Sequence, residues 1–218
     1  MTDLTDRIVI VTGASGRLGR VVVRAMVEKG ARVAALDREA PARLPDRARG
    51  WEANLTDEAD VARVFGEVAD EMGTPWALVH TVGTWDGGPL AETTLNAWRS
   101  VLDLNLTSAF LCVREVVRHM DAGRIIGIAS RQGVDRAPAQ QAAYAASKAG
   151  VMRLIEAASA EHEGIAAVSI APSTILFGGE EEGAAGVTAE ALAEMCVRLA
   201  GDAGAVHDGS VLRAYGTG

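Results

Sequence analysis

Residues 8–19 decide the fold of this 218-residue chain and read Ile8-Val9-Ile10-Val11-Thr12-Gly13-Ala14-Ser15-Gly16-Arg17-Leu18-Gly19. The first four residues form a β-branched, wholly apolar run, which is typical of a strand buried on both faces. A glycine-rich turn follows, and the pattern then predicts a helix from Arg17 to about Lys29, with Gly30 as its stop signal. A strand, a turn and a helix in this order predict the first unit of a parallel α/β sheet.

The rest of the chain repeats this alternation of short apolar runs with longer helix-like segments. The pattern predicts strands over 32–36, 76–80, 123–129, 166–171 and 210–214, and helices over 56–72, 97–120, 141–162 and 188–200. Since right-handed crossovers connect parallel strands, the sheet is expected to be doubly wound, with helices on both faces. No linker or repeat divides the chain, so residues 1–218 are interpreted as a single domain.

Composition narrows the classes of function and partner. The net charge of −8 and the isoelectric point near 5.0 argue against a nucleic-acid partner, which would require clustered cations. No apolar run approaches the ~20 residues of a membrane span, and the acidic N-terminus is unlike a signal peptide. We therefore expect a cytoplasmic protein without a membrane partner. The two cysteines and four histidines fit no ligand spacing, which predicts reduced thiols and no metal.

The glycine-rich loop has the context of a dinucleotide site. Gly13 and Gly16 let the backbone approach a pyrophosphate, and Gly19 lets the helix pack closely on the sheet. The N-terminus of the helix offers free N–H groups and partial positive charge to phosphates. A plain turn between strand and helix is the alternative, but the flanking strand and helix favour the dinucleotide interpretation.

Asp37 ends the second predicted strand, about twenty residues after the glycines. An acid there can accept hydrogen bonds from ribose hydroxyls and would repel a 2′-phosphate, which favours NAD over NADP. Arg17 and Arg38 leave NADP open, since either could hold a 2′-phosphate, and an exposed turn acid is the simplest alternative for Asp37.

Tyr144 and Lys148 stand four residues apart, on one face of a predicted helix, in a chain with only two tyrosines. A neighbouring ammonium and the start of a helix are expected to lower the pKa of the phenol, making it a proton shuttle. Ser130 follows a predicted strand and could polarise a carbonyl, although a cap is the usual role. Asn105, within a predicted helix, is either bonded to backbone or holds a water.

These residues together resemble the short-chain dehydrogenase/reductase family, and the resemblance runs from Ile8 to Gly216. It implies a Rossmann-like sheet of seven strands and hydride transfer between a nicotinamide and a carbonyl or alcohol. By resemblance Tyr144 is the acid/base, Lys148 lowers its pKa and binds the nicotinamide ribose, Ser130 orients the substrate oxygen, and Asn105 supports a relay water. The implied NAD(P)-binding set comprises Gly13, Ser15, Gly16, Arg17, Leu18, Gly19, Asp37, Arg38, Asn54, Leu55, Val82, Gly83, Tyr144, Lys148, Pro172, Thr174 and Ile175.

Several positions depart from the family pattern. Arg17 stands where the loop normally has a glycine, His80 where an asparagine is usual, and Phe177 where a threonine is usual. The substrate cap, about 176–187, is shorter than in many relatives, and its 178–183 stretch is acidic. An acidic lid would favour a cationic substrate, whereas a solvated mobile loop is the plainer interpretation.

The segment from His80 to Gly88 is similar to the glycine- and tryptophan-containing segment of dihydropteridine reductases, a branch that prefers NADH but lacks the serine. Trp85 could stack on a flat ring or could pack the loop.

A non-catalytic nucleotide sensor is the competing class of function. The long helices over 97–120 and 141–162 are expected to join copies into a homodimer or homotetramer.

Overall fold

The computed structural model describes residues 2–181 and 183–216. Its strands are β1 (Ile8–Thr12), β2 (Arg32–Asp37), β3 (Ala48–Glu52), β4 (Ala77–His80), β5 (Gly123–Ile128), β6 (Ile165–Pro172), β7 (Ile175–Leu176), β8 (Val187–Thr188) and β9 (Val211–Ala214). Its helices are α1 (Arg17–Glu28), α2 (Glu58–Met72), α3 (Leu95–Leu102), α4 (Ser108–His119), α5 (Arg131–Val134), α6 (Ala142–Glu161), α7 (Ala189–Ala200) and α8 (Ala203–Val206).

Seven strands form one sheet in the order β3-β2-β1-β4-β5-β6-β9, and every neighbouring pair is parallel. The winding reverses between β1 and β4, which places the topological switch point beside the glycine-rich loop. Ligands of such sheets bind outside the carboxyl ends of the strands at this point. The predicted doubly wound Rossmann-like fold is confirmed.

The sheet is covered on both faces. Val9 and Val11 of β1 belong to the core layer shared with α1 and α7. Ile10 points to the opposite layer, shared with α2, α4 and α6. All five residues of β1 are buried, as the apolar run predicted, because successive side chains of a strand alternate between its faces.

Strand β3 was missing from the sequence interpretation. It reads Ala-Arg-Gly-Trp-Glu, and only Trp51 is buried. The strand lies at the edge of the sheet, where the polar side chains of Arg49 and Glu52 reach solvent, so it shows no apolar run.

The predicted helices differ from the observed ones at two informative points. The helix expected over 97–120 begins at Leu95, and its turn Asp103–Thr107 is a π-helix between α3 and α4. Helix α2 is capped by Asp57 rather than Thr56, since the Asp57 side chain accepts from the Asp60 N–H at 2.9 Å. Across residues 2–181 and 183–216, no helix combines the length and the apolar content that crossing a bilayer requires.

Candidate active site

A cleft lies along the carboxyl ends of the central strands and has two adjoining compartments. The first has a volume of about 580 Å³ and the second about 610 Å³. Both are bounded by Gly13, Gly16, Thr81 and Gly83, so the glycine-rich loop lies where the two compartments meet. Each compartment is large enough for half of a dinucleotide.

Most of the predicted site residues line this cleft. The first compartment collects Gly13, Ser15, Gly16, Asp37, Arg38, Asn54, Leu55, Val82 and Gly83. The second collects Gly13, Gly16, Arg17, Leu18, Gly19, Gly83, Ser130, Tyr144, Lys148, Pro172 and Ile175. Thr174 lines neither compartment, and its carbonyl accepts from the Val187 N–H at 2.9 Å instead. Asn105 also lies behind the cleft wall.

The glycine-rich loop forms a cradle that side chains would fill. Gly13 has a φ of +69°, a conformation that favours glycine, and a Cβ on Gly19 would come 2.0 Å from the Gly13 carbonyl oxygen. Helix α1 begins after Gly16 without a side-chain cap and without an acid in its first turn. Its first N–H groups are thus available to an anion, and the loop fits the phosphates of a dinucleotide.

Asp37 faces the first compartment and organises the loop. Its Oδ2 accepts from the Ser15 N–H at 2.8 Å, and its Oδ1 accepts from the Arg38 N–H at 2.7 Å. Each carboxylate oxygen keeps a second lone pair for a ligand hydroxyl. Arg17 lines the other compartment, which leaves Arg38 as the nearer candidate for a 2′-phosphate.

Lys148 is a buried cation at the floor of the second compartment. Its Nζ donates to the Ile128 carbonyl at 2.9 Å, and only 5% of the residue is exposed. Burial lowers the pKa of Lys148 to about 8. A Cβ on Gly83 would lie 2.9 Å from this Nζ, so the β4 loop passes close over the lysine at a position without a side chain.

Asn105 is a buried tie between the β4 loop and α6. Its Oδ1 accepts from the Thr84 N–H at 2.7 Å, and its Nδ2 donates to the Thr84 carbonyl at 3.0 Å and the Ser147 Oγ at 2.9 Å. The π-helical turn carries this amide, and such turns recur at functional sites. Of the two expectations for Asn105, the structure shows bonding to backbone.

Tyr144 is the third residue of α6 and lines the same compartment as Ser130. Burial raises the pKa of the Tyr144 phenol, and the nearby Ser130 hydroxyl offsets part of that rise. The expected lowering of this pKa by Lys148 was wrong for the protein alone, because burial of the phenol is the largest influence and raises the pKa.

Ser130 lies two residues beyond the end of β5 and directly precedes α5. Its hydroxyl donates to the Gln132 side-chain oxygen. A serine hydroxyl has one proton, so polarising a substrate oxygen requires it to leave Gln132. Gln132 was not anticipated, because nothing local in the sequence marks this contact.

His80 is a fully buried neutral link between strands. Its Nδ1 lies 2.9 Å from the Thr12 Oγ1, which ties the carboxyl ends of β1 and β4 together. Burial, aided by the charge of Lys148, lowers the pKa of His80 to about 3. His80 therefore supports the cleft wall as a neutral imidazole and carries no charge at neutral pH.

Sequence reasoning missed several other residues of the cleft wall as site residues. These are Thr81, Thr84, Ser173 and Phe177 of the second compartment. Trp85, for which the sequence left ring stacking and loop packing open, lines the same compartment. The positions directly after β4 and β6 were the available signal, because loops after parallel strands line such sites. Among residues 2–181 and 183–216, no three His, Cys, Asp or Glu side chains group as metal ligands.

Comparison with known proteins identifies the family. The family profile described as short chain dehydrogenase matches residues 7–182. Cis-4-hydroxycyclohexanecarboxylate dehydrogenase of Sinomonas cyclohexanicum is 33% identical over 181 residues, covering 77% of this chain and 72% of that protein. D-threitol dehydrogenase of Mycolicibacterium smegmatis is 34% identical over 187 residues, covering 79% of this chain and 72% of that protein.

A solved structure agrees over nearly the whole chain. The crystal structure of gox2181 superposes with a TM-score of 0.87 at 27% sequence identity, covering 97% of this chain and 95% of that one. The chain belongs to the short-chain dehydrogenase family of oxidoreductases. The resemblance inferred from the sequence motifs is therefore confirmed.

Proposed function

We propose that this protein is an NAD-dependent oxidoreductase that interconverts an alcohol and a carbonyl compound, with Tyr144 as the acid/base. The observation that carries the proposal is one continuous cleft, in which the phosphate cradle adjoins a compartment lined by Ser130, Tyr144 and Lys148. When bound, NAD supplies the hydride acceptor for oxidation, and NADH supplies the hydride donor for reduction.

The chain's own residues provide the proton chemistry and the positioning. Tyr144 takes the hydroxyl proton during oxidation and returns it during reduction. Ser130 donates to the substrate oxygen after releasing Gln132. Lys148, next to Gly83 on the cleft floor, would bind the nicotinamide ribose, and its charge would stabilise the phenolate. Asn105 positions Thr84 and, through Ser147, the start of α6.

Oxidation of NADH against a panel of carbonyl compounds tests the proposal. The panel includes cyclic ketones with a carboxylate and small keto-polyols, because relatives named above act on a hydroxycyclohexanecarboxylate and on threitol. Consumption of NADH that depends on both enzyme and carbonyl supports an enzyme. Tight NADH binding without turnover on any substrate would point to a nucleotide sensor.

One observation favours a dihydropteridine reductase-like activity as the second candidate. Trp85 is 61% exposed and lines the compartment of Tyr144, so its ring is available to a flat heterocycle. A quinonoid dihydropterin is therefore added to the panel, and a Trp85→Leu variant should lose activity on it selectively if the ring stacks.

Cofactor choice gives the first prediction. Asp37→Ala should weaken NADH binding about tenfold, because two ribose hydroxyls lose a charged acceptor, and should weaken NADPH binding less. The gap between the two affinities should narrow in fluorescence titrations. Asp46→Ala removes an exposed carboxylate outside the cleft and should leave both affinities unchanged. A wild-type preference for NADPH would refute the assignment of NAD as the cofactor and would favour Arg38 as the residue that binds a 2′-phosphate.

Association gives the second prediction. Phe110 on α4 is 44% exposed, and α6 is rich in alanine, which allows close helix approach. We expect a dimer or tetramer of closed symmetry by light scattering at micromolar concentration. Phe110→Glu should dissociate it, whereas Val206→Glu, at an 83% exposed position on α8, should not. A wild-type monomer would refute this assembly.

A further inference from the structure

Arg17 distinguishes this chain's phosphate loop from the family pattern. It is the first residue of α1 and replaces the middle glycine of the loop. Its guanidinium carbon lies 4.0 Å from the centroid of the Phe177 ring, a stacking distance for a cation on an aromatic face. Phe177 follows β7 directly and begins the cap, so Arg17 connects the phosphate loop to the cap.

Stacking on the neutral Phe177 ring does not neutralise the charge of Arg17. Among residues 2–181 and 183–216, no carboxylate forms an ion pair with Arg17, although ten such pairs occur elsewhere. Glu180 is the nearby acid, and its Oε1 accepts from the Phe177 N–H at 2.8 Å. That bond lowers the pKa of Glu180, and the charge of Arg17 acts in the same direction.

Two contacts fix the conformation of the cap beside Arg17. The Glu180 carboxylate closes a short turn onto Phe177, and the ring of Phe177 covers the guanidinium. Glu182, part of the acidic stretch predicted as a lid, lies outside the described residues. The cationic guanidinium of Arg17 therefore lies against the described part of the cap, which argues against selection of a cationic substrate by an acidic lid.

The position of Arg17 matches an anion in the cleft. It lines the compartment of Tyr144 together with the three loop glycines, and it is the first residue of α1, whose N-terminus has no side-chain cap. A guanidinium recognises phosphate oxygens with paired donors, and its charge adds to that of the helix end.

We propose that Arg17 binds the cofactor pyrophosphate and, through its stack on Phe177, holds cap residues 177–180 against the bound dinucleotide. The inference rests on the proposed function and adds a specific consequence: cofactor binding and ordering of the cap are coupled through one side chain. Loss of Arg17 should therefore weaken both, whereas loss of the Phe177 ring should release the cap and leave most of the cofactor affinity.

Calorimetric titration of Arg17→Met with NADH, ADP and adenosine tests the pyrophosphate contact. The affinities for NADH and ADP should fall by about tenfold or more, because a charged hydrogen-bond donor is lost, and the loss should shrink at high salt. Adenosine, which has no phosphate, should bind equally to variant and wild type. Arg24→Met removes a charge from the exposed side of α1 and should change no affinity.

Cleavage by a glutamate-specific protease at Glu180 and Glu181 tests the cap. NADH should protect the wild type but not Phe177→Leu, at concentrations that saturate both. Unchanged NADH affinity in Arg17→Met, or full protection in Phe177→Leu, would overturn the inference while the proposed function stands. A wild type that binds no nucleotide would instead overturn the proposed function and this inference with it.

Discussion

Tyr144→Phe is expected to lower turnover by about 10²–10⁴-fold while leaving NADH affinity within a few-fold of wild type. The change removes the one hydroxyl that the account assigns to proton transfer and keeps the aromatic ring that packs at the start of α6. Steady-state rates and NADH fluorescence titration on the same preparations separate the two effects. Residual activity above about a tenth of wild type would mean that the proton comes from elsewhere.

Tyr215 offers a matched control, because it is the only other tyrosine of the sequence. Its hydroxyl donates to the Asp135 Oδ2 at 2.5 Å, away from the compartment of Tyr144. Tyr215→Phe should therefore leave the rate near wild type. The rate of alcohol oxidation by the wild type should rise with pH through the Tyr144 pKa, since the phenolate is the active base.

Lys148→Met is expected to damage both turnover and cofactor binding, each by about tenfold or more, because one ammonium carries two roles. It contacts the ribose in the proposed complex and stabilises the Tyr144 phenolate. Lys29→Met, which changes the only other lysine, should affect neither quantity. Normal NADH affinity in Lys148→Met would contradict the proposed contact between Lys148 and the ribose.

The same variant has a distinct signature in stability. The pKa of Lys148 is lowered by burial from 10.5 to about 8, so charging it costs more in the folded than in the unfolded protein. That cost is full below about pH 8 and disappears above about 10.5, so its contribution makes the wild type more stable as pH rises through this window. The slope is at most ~1.4 kcal/mol per pH unit. In denaturant titrations, the free energy of unfolding of Lys148→Met should lack this rise between about pH 8 and 10.5. The same dependence of unfolding free energy on pH in both proteins would contradict burial of a charged lysine.

The features that the sequence predicted well are those set by local pattern. The apolar run before Gly13 predicted a strand buried on both faces, and the spacing of the loop glycines predicted the cradle. Because parallel strands bring their carboxyl ends to one edge, the residues after β1, β2, β4 and β5 could be expected in one cleft. Tyr144 and Lys148 were found by their spacing on a single helix.

Other features depend on contacts between distant segments and had no local signal. Strand β3 was missed because an edge strand needs no apolar run. The bonds of Asn105 to Thr84 and Ser147 span 21 and 42 residues, so spacing could not assign them. The pKa of Tyr144 was predicted in the wrong direction, because the burial of its phenol, which raises the pKa, is set by the tertiary fold and not by the spacing of Tyr144 and Lys148. The Arg17–Phe177 stack likewise could not be predicted, because the two residues lie far apart in the sequence and meet only in the folded protein.

The central claim is that one cleft binds NADH and uses Tyr144 to complete reduction of a carbonyl compound. The most direct test follows NADH absorbance in wild type and Tyr144→Phe, with the carbonyl panel, after confirming that both proteins bind NADH. We expect carbonyl-dependent loss of NADH in the wild type and little or none in Tyr144→Phe. Equal rates in the two proteins, or no turnover by a wild type that binds NADH tightly, would contradict it.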